Sequence, residues 1–170
     1  MIFATTLLLA FASVAAAQPA PPKPAPPAAD RLTAALLCQV DPLETVQSLA
    51  AAPNPALTAK TTGEEMDQTI VLTLHKEMVI HGARTSAVTM SFSPPREDFL
   101  GIVFAEMKGD PAPLIKALGL KKAPRGAELP IGQYIKPVPG NEPDETCPRT
   151  IAVTALGPGR FLLGCGWCNG

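Results

Sequence analysis

The sequence predicts an α+β fold in which an antiparallel sheet of about five strands carries two N-terminal helices and one later helix on one face, stapled by disulfides. Apolar residues recur at helical spacing over residues 31–52, and alternating apolar and polar residues dominate residues 69–107. The strand-like segments do not alternate with helices, which favours an antiparallel sheet over a parallel, doubly wound one. The cysteine count is even, as a disulfide-stapled domain requires.

Residues 1–17 have the features of a cleavable signal peptide. Residues 2–14 are apolar and uncharged, a length that suits a signal peptide, whereas a membrane-spanning helix needs roughly 20 apolar residues. Residues 15–17 are alanines and provide the small residues of a cleavage site. No Lys or Arg precedes the apolar run, so the terminal amine or an upstream start would supply the usual positive charge. We expect a periplasmic or secreted protein with no stable membrane insertion after cleavage.

Residues 18–29 are almost entirely Pro and Ala and predict a semi-rigid spacer, with a proline-motif ligand as the alternative. Residues 30–170 then form a single α+β domain of ordinary size. The charges of the full chain nearly cancel, with 14 Lys and Arg against 15 Asp and Glu. This balance argues against nucleic acid as a partner, because binding to phosphates needs a concentrated positive surface.

Two helices are expected before the strands. The first covers residues 31–38, where leucines recur at helical spacing. Asp41 predicts the N-cap of the second, with Pro42 at the first helical position and Glu44 three residues after the cap. Pro53 ends this helix because proline cannot donate a backbone hydrogen bond.

Alternation predicts the strands that follow. Residues 69–80 form one long strand or two with a break near the middle, and residues 85–92 and 99–107 form the next strands. A short helix begins at residues 110–111 and ends at Gly119.

The C-terminal third divides into an irregular part and a hairpin. Prolines are scattered through residues 121–149, which hold either a short strand at residues 133–135 or a functional surface loop. Residues 150–155 and 160–165 then predict a hairpin around a four-residue turn, residues 156–159.

Four cysteines lie in the predicted mature domain: Cys38, Cys147, Cys165 and Cys168. In an exported chain such a set usually forms two disulfides. If Ala155 lies opposite Arg160 in the hairpin, Cys147 faces Cys168, and Cys38 is left to pair with Cys165. This assignment depends on the hairpin register, which a single bulge would shift.

Residues 165–168 also form a C-x-x-C motif, the spacing of thiol–disulfide oxidoreductases. Their reactive cysteine lies at a helix N-terminus, but only two residues follow this motif, so no helix can form there. A zinc site is also disfavoured, because a single C-x-x-C pair is present and the compartment is oxidising. Structural disulfides are therefore the expected use of these cysteines.

Few other residues suggest chemistry. His75 and His81 are weak metal-ligand candidates, since on one extended strand they stand roughly 20 Å apart. No serine lies in a nucleophile motif, and no phosphate-binding glycine loop is present. Tyr134 and Trp167 are possible interface anchors, with core filling as the alternative for Trp167. No cofactor, metal or catalytic residue is expected.

These observations favour a non-enzymatic, exported binding or interaction protein. Its partner would be an unknown envelope or extracellular protein or ligand. The alternative is an envelope hydrolase whose site is assembled from distant residues, and a minor alternative is a thiol–disulfide protein that uses the C-terminal C-x-x-C.

Overall fold

A computed structural model describes residues 26–63, 68–93, 100–124, 132–139 and 148–168. Within them lie three helices and one antiparallel sheet, which makes the fold α+β as predicted. The helices are α1 (Ala28–Leu36), α2 (Pro42–Ala51) and α3 (Ala112–Leu118). The strands are β1 (Leu57–Thr62), β2 (Thr69–Ile80), β3 (Ala83–Ser93), β4 (Leu100–Lys108), β5 (Lys121–Lys122), β6 (Tyr134–Pro137), β7 (Thr150–Gly157) and β8 (Arg160–Cys168). The predicted signal peptide and residues 18–25 of the predicted spacer lie outside the described residues.

The sheet consists of two four-stranded meanders joined side by side. Its strand order is β1-β2-β3-β4-β8-β7-β6-β5, and every neighbouring pair is antiparallel. Strands β4 and β8 pair along nine consecutive positions, from Leu100 with Cys168 to Lys108 with Arg160. Helix α3 follows β4 and leads to β5 at the far edge of the sheet.

The expectation of about five strands was wrong, because the sheet has eight. Strand β1 was missed because only Leu57 is buried in it, so the segment has no apolar alternation. Strand β5 has two residues, too few for any periodicity. Strand β6 corresponds to the short strand considered near residues 133–135. These three strands bury few side chains of their own and owe their place in the sheet largely to pairing with their neighbours.

Strand β2 is one long strand, but its middle departs from the regular ladder. Thr73 pairs with Ala87 and Met78 with Thr85, so β2 carries extra residues between these two pairs. The irregularity lets β2 continue through its polar residues 75–77 without losing the buried alternation on either side.

The two predicted helix signals at residues 41–53 and 110–119 are confirmed. The Asp41 side chain accepts a hydrogen bond of 2.8 Å from the amide of Glu44, and the helix ends before Pro53. The Asp110 side chain accepts a bond of 2.9 Å from the Ala112 amide at the start of α3. Gly119 follows α3 in the left-handed conformation, with φ of 66°.

The two faces of the sheet differ in what covers them. Buried side chains of all three helices, including Leu36, Val46 and Leu114, belong to one hydrophobic cluster with alternate residues of the strands. The intervening strand residues point to the opposite face, on which Ile102 and Ala152 form a much smaller apolar cluster. We call these the covered face and the free face.

The terminal hairpin differs by one residue from the predicted one. Gly157 pairs with Arg160 around the two-residue turn Pro158–Gly159, but Ala155 pairs with Phe161 rather than with Arg160. Leu156 is the extra residue, and it forms a bulge between these two pairs. The two-residue turn alone would shift β7 by two positions from the register expected with a four-residue turn, and the bulge takes back one of them, so the observed register differs by one position.

Candidate functional site

Cys38 and Cys165 form a disulfide, as predicted. Their Cα atoms are 5.3 Å apart and they are separated by 127 positions in the sequence. Cys38 has φ of 53° and follows α1 at the position where glycine is usual. Its amide bonds to the Ala35 carbonyl, and the next amide, that of Gln39, bonds to the Ala34 carbonyl. The disulfide therefore links the end of α1 to the centre of the sheet, where Cys165 is fully buried.

The other predicted pair cannot be followed in the same way, because Cys147 lies outside the described residues. Thr150 pairs with Gly166, and the same register continued by two residues places Pro148 opposite Cys168. The register from which this pair was predicted was thus wrong by one position, and the pair itself stays a prediction. Peptide mapping under non-reducing conditions would test it.

The C-x-x-C motif is not a pair of neighbouring thiols in this structure. The sulfur of Cys165 is bonded to Cys38, a residue at the end of a different element. A C-x-x-C oxidoreductase cycles between a dithiol and a disulfide of its own two cysteines. The observed pairing therefore gives the thiol–disulfide alternative no support.

The two suggested interface anchors lie on the covered side of the sheet. Trp167 is 8% exposed and belongs to the main hydrophobic cluster. A Cβ atom at Gly101 would collide with its indole ring, so glycine at 101 provides the space for the ring. Tyr134 is partly buried and packs against the same cluster. Both side chains thus pack in or against the hydrophobic core. Their role as interface anchors stays a prediction.

The two histidines do not come together, and each has separate surroundings. His81 lies in the β2–β3 turn, with φ of 47°. His75 Nδ1 lies 2.9 Å from the carbonyl oxygen of Pro55, so it must be the protonated donor. Its Nε2 lies 3.1 Å from Thr58 Oγ1 and, in the neutral ring, accepts the hydroxyl proton. Sequence reasoning did not identify Thr58, because β1 was not recognised as a strand.

A shallow cleft of about 480 Å³ opens beside Thr58 and His75. Its other walls are the end of α2 and the following loop, residues 50–54, together with Leu57 and Ala59. Both Thr58 and His75 are exposed. No three His, Cys, Asp or Glu side chains of the described ranges are arranged to hold a metal ion.

A row of three cationic residues crosses the free face at one end of the sheet. Arg84 of β3 pairs with Lys108 of β4, and Lys108 pairs with Arg160 of β8. Their neighbours Ala83, Met107 and Phe161 are buried on the covered face, so by alternation all three cations point to the free face. Side chains at directly opposed positions have Cβ atoms about 4.5–5.5 Å apart. We call Arg84, Lys108 and Arg160 the cationic row.

One carboxylate compensates part of this charge. Arg160 Nε donates a hydrogen bond of 2.7 Å to Glu106 Oε1. That hydrogen bond lowers the pKa of Glu106, helped by the positive charges of Arg160 and Lys108. The same bond raises the pKa of Arg160. Arg84 and Lys108 form no ion pair with any residue that the structure describes.

The cationic row lies beside the turns that close the sheet at this end. His81–Gly82 joins β2 to β3, and Pro158–Gly159 joins β7 to β8. The amide of Gly109, directly after Lys108, donates a bond of 2.9 Å to the Gly159 carbonyl. Sequence reasoning missed the row because its members come together only through the registers of two strand pairs. Each cation does stand next to a buried strand residue, but this pattern alone does not show which cations are neighbours.

Comparisons of the chain with models of protein families, with curated proteins and with solved structures found no match. The disulfide indicates an oxidising, non-cytoplasmic compartment. Among the described residues, none of the helices is both long enough and apolar enough to cross a membrane.

Proposed function

We propose that this chain is a non-enzymatic binding protein of the periplasm or the extracellular space, and that its partner is anionic. The observation that carries the proposal is the cationic row on the free face. Like charges at directly opposed strand positions destabilise a sheet. Here two such contacts follow each other, Arg84 with Lys108 and Lys108 with Arg160, and among the residues that the structure describes only Arg160 of the three has a carboxylate partner.

A negatively charged partner would remove this repulsion and would gain three long, exposed side chains as ligands. The row lies on the face opposite to the helices, so a partner can approach it without displacing the core. The disulfide and the predicted signal peptide support an exported location, and the predicted spacer would give the domain reach within the envelope.

Photo-crosslinking in the producing cell tests this proposal. A photoreactive residue at position 108 should form adducts with an envelope component, whereas one at Lys60, an exposed residue of β1, should not. Adducts at 108 should also be lost when Arg84 is replaced by Gln. An absence of adducts at 108, or equal adducts at both positions, would contradict binding at the cationic row.

A second candidate function, an envelope hydrolase, rests on Thr58 and His75. The arrangement is that of a nucleophile, a base and a group that orients the base, with Thr58 Oγ1, His75 and the carbonyl of Pro55 in these roles. In the reaction, Thr58 Oγ would attack an acyl carbonyl while His75 Nε2 takes the hydroxyl proton. The leaving alcohol would depart with that proton, and water would then release the acyl group from Thr58. Pro55 would hold the ring through Nδ1.

An activated ester distinguishes this candidate from simple structural packing. The hydrolase predicts a burst of nitrophenol from nitrophenyl acetate and a mass increase of one acetyl group on the peptide that contains Thr58. Thr58→Val should abolish both, and Thr58→Ser should retain them. If the Val variant reacts as fast as the native protein, the Thr58–His75 contact only fastens β1 to β2.

A further inference from the structure

We infer that the anionic partner is the surface of a lipid bilayer, which the protein contacts with the end of the sheet that carries the cationic row. The inference rests on the proposed function and adds the chemical class of the partner. It draws on a second observation at the same place, the exposure of apolar side chains at the hairpin ends.

Two apolar residues flank the cationic row. Val79 is 59% exposed and pairs with Arg84, so it continues the row onto β2. Leu156 is 46% exposed and forms the bulge next to the pair of Gly157 and Arg160, at the other end of the row. Only one other large apolar residue of the described ranges is comparably exposed, Val40 at 40%. Across four adjacent strands, β2, β3, β4 and β8, the order is therefore apolar, cation, cation, cation, and on β7 the exposed Leu156 adjoins the residue that pairs with Arg160.

This order matches the two attractions that hold a protein at a bilayer interface. Exposed apolar side chains enter the boundary between headgroups and acyl chains, while Lys and Arg meet the anionic headgroups. Both kinds of side chain must reach the same plane, and a row beside the turns of the sheet allows this.

The acidic residues near the row do not block this approach. Glu106 stands two residues before Lys108 and Glu77 two residues before Val79, which places them roughly 7 Å further from the end of the sheet. Asp110 lies beside the row, but its carboxylate already accepts the Ala112 amide at the start of α3. Along the row itself, the paired free-face side chains on the described strands β2, β3, β4 and β8 are thus apolar or cationic.

Vesicle flotation with the mature protein tests the inference. We expect binding to vesicles of equal parts phosphatidylglycerol and phosphatidylcholine, and no binding to phosphatidylcholine alone. Removing a cation near an anionic surface should weaken binding about fivefold, so Arg84→Gln with Lys108→Gln should lower the partition coefficient about 25-fold. Val79→Ser should lower it further, and added salt should weaken the binding of the native protein.

Lys60→Gln with Lys136→Gln is the matched control, since it removes the same charge from exposed positions on β1 and β6. This control should bind within about twofold of the native protein if the location of the charge matters. An equal loss in both double variants would overturn the inference, as would failure of the native protein to bind anionic vesicles at low salt. Thermal unfolding followed by circular dichroism would show that each variant is folded.

A binding measurement with soluble polyglutamate distinguishes failure of the bilayer inference from failure of the proposed function. Binding to polyglutamate but not to anionic vesicles would mean that the partner is an acidic macromolecule rather than a bilayer. The bilayer inference would then be wrong, and the proposal of an anionic partner would survive. Binding to neither probe, without adducts at position 108, would overturn both.

Discussion

The two faces of β8 differ in a way that separates the stability of this protein from its proposed function. On the covered face, Phe161, Leu163 and Cys165 are fully buried. On the free face the same strand presents Arg160, which is exposed, then Leu162, which is partly buried, and then two glycines. One face of β8 therefore lies at the centre of the hydrophobic core, whereas its other face takes part in only a small apolar cluster.

The contrast follows from where the helices lie. All three contribute buried side chains to the covered face, so each apolar residue there loses its contact with water. The free face keeps only the small cluster around Ile102 and Ala152, with Phe104, Ile135 and Leu162 partly buried against it. Substitutions at alternate positions of one strand should therefore differ sharply in their effect on stability.

The largest effect is expected when the link between the helices and the covered face is removed. Cys38→Ala with Cys165→Ala opens a loop of 127 positions, which should lower the free energy of unfolding by roughly 4–5 kcal/mol in the chain-entropy model. Urea denaturation of the double variant measures the loss. A loss below about 1 kcal/mol would mean that packing alone holds α1 in place.

Neighbouring truncations on β8 compare the two faces directly. Phe161→Ala removes a fully buried ring from the covered face and should cost about 3–5 kcal/mol. Leu162→Ala, on the free face, should cost only about 1 kcal/mol because the side chain is partly buried. Urea denaturation of both variants gives the difference. Equal losses would show that the free face is packed as tightly as the covered face.

Two glycines extend the comparison to close packing. Gly101→Ala puts a Cβ into the indole ring of Trp167 on the covered face and should cost about 1–3 kcal/mol, with a shift in tryptophan fluorescence. Gly166→Ala, on the free face, meets only the carbonyl oxygen of Gly101 at 3.9 Å, an ordinary contact. It should leave the fluorescence and the unfolding midpoint nearly unchanged. A native-like spectrum of Gly101→Ala would contradict the packing of Trp167 on this residue.

The smallest effect concerns the ion pair of Glu106 and Arg160 on the free face. The pKa of Glu106 is lowered in the folded protein, so its contribution to stability is present above the ordinary pKa of glutamate. That contribution is lost as the pH falls through the lowered pKa. Both groups are exposed, and the effect should be small and weakened by salt. Thermal unfolding of the native protein and of Glu106→Gln between neutral and acidic pH should converge at the acidic end.

Sequence patterns predicted the elements whose side chains are buried at regular intervals. Strands β2, β3, β4, β7 and β8 alternate between the faces, and the start of α2 has the cap that Asp41 provides. Strand β1 has a single buried residue and β5 has only two residues, so neither gives a periodic pattern. Local sequence patterns thus identified the strands that bury several side chains in the core. They missed the strands that are placed mainly by hydrogen-bonded pairing with a neighbour.

The cationic row depends on the registers in which neighbouring strands pair, and the sequence alone predicts such registers poorly. The two-residue turn and the bulge at Leu156 together put the hairpin register one position from the predicted one, although the pairing of Cys38 with Cys165 was still predicted correctly. The cationic row needs two registers at once, and the pairing of β3 with β4 is itself irregular between Arg84 and Thr89. No pattern within one segment could place three cations from three strands side by side.

The position of the disulfide also sets the order of events in biosynthesis. Cys38 is made 127 residues before Cys165, which at about 5–20 residues per second is on the order of ten seconds. In a chain that is exported while it is being synthesised, Cys38 would therefore enter the oxidising compartment before its partner. Until the last strand arrives, its thiol is open to Cys147 or to foreign thiols, and an isomerase that corrects such pairs would raise the yield of the native protein.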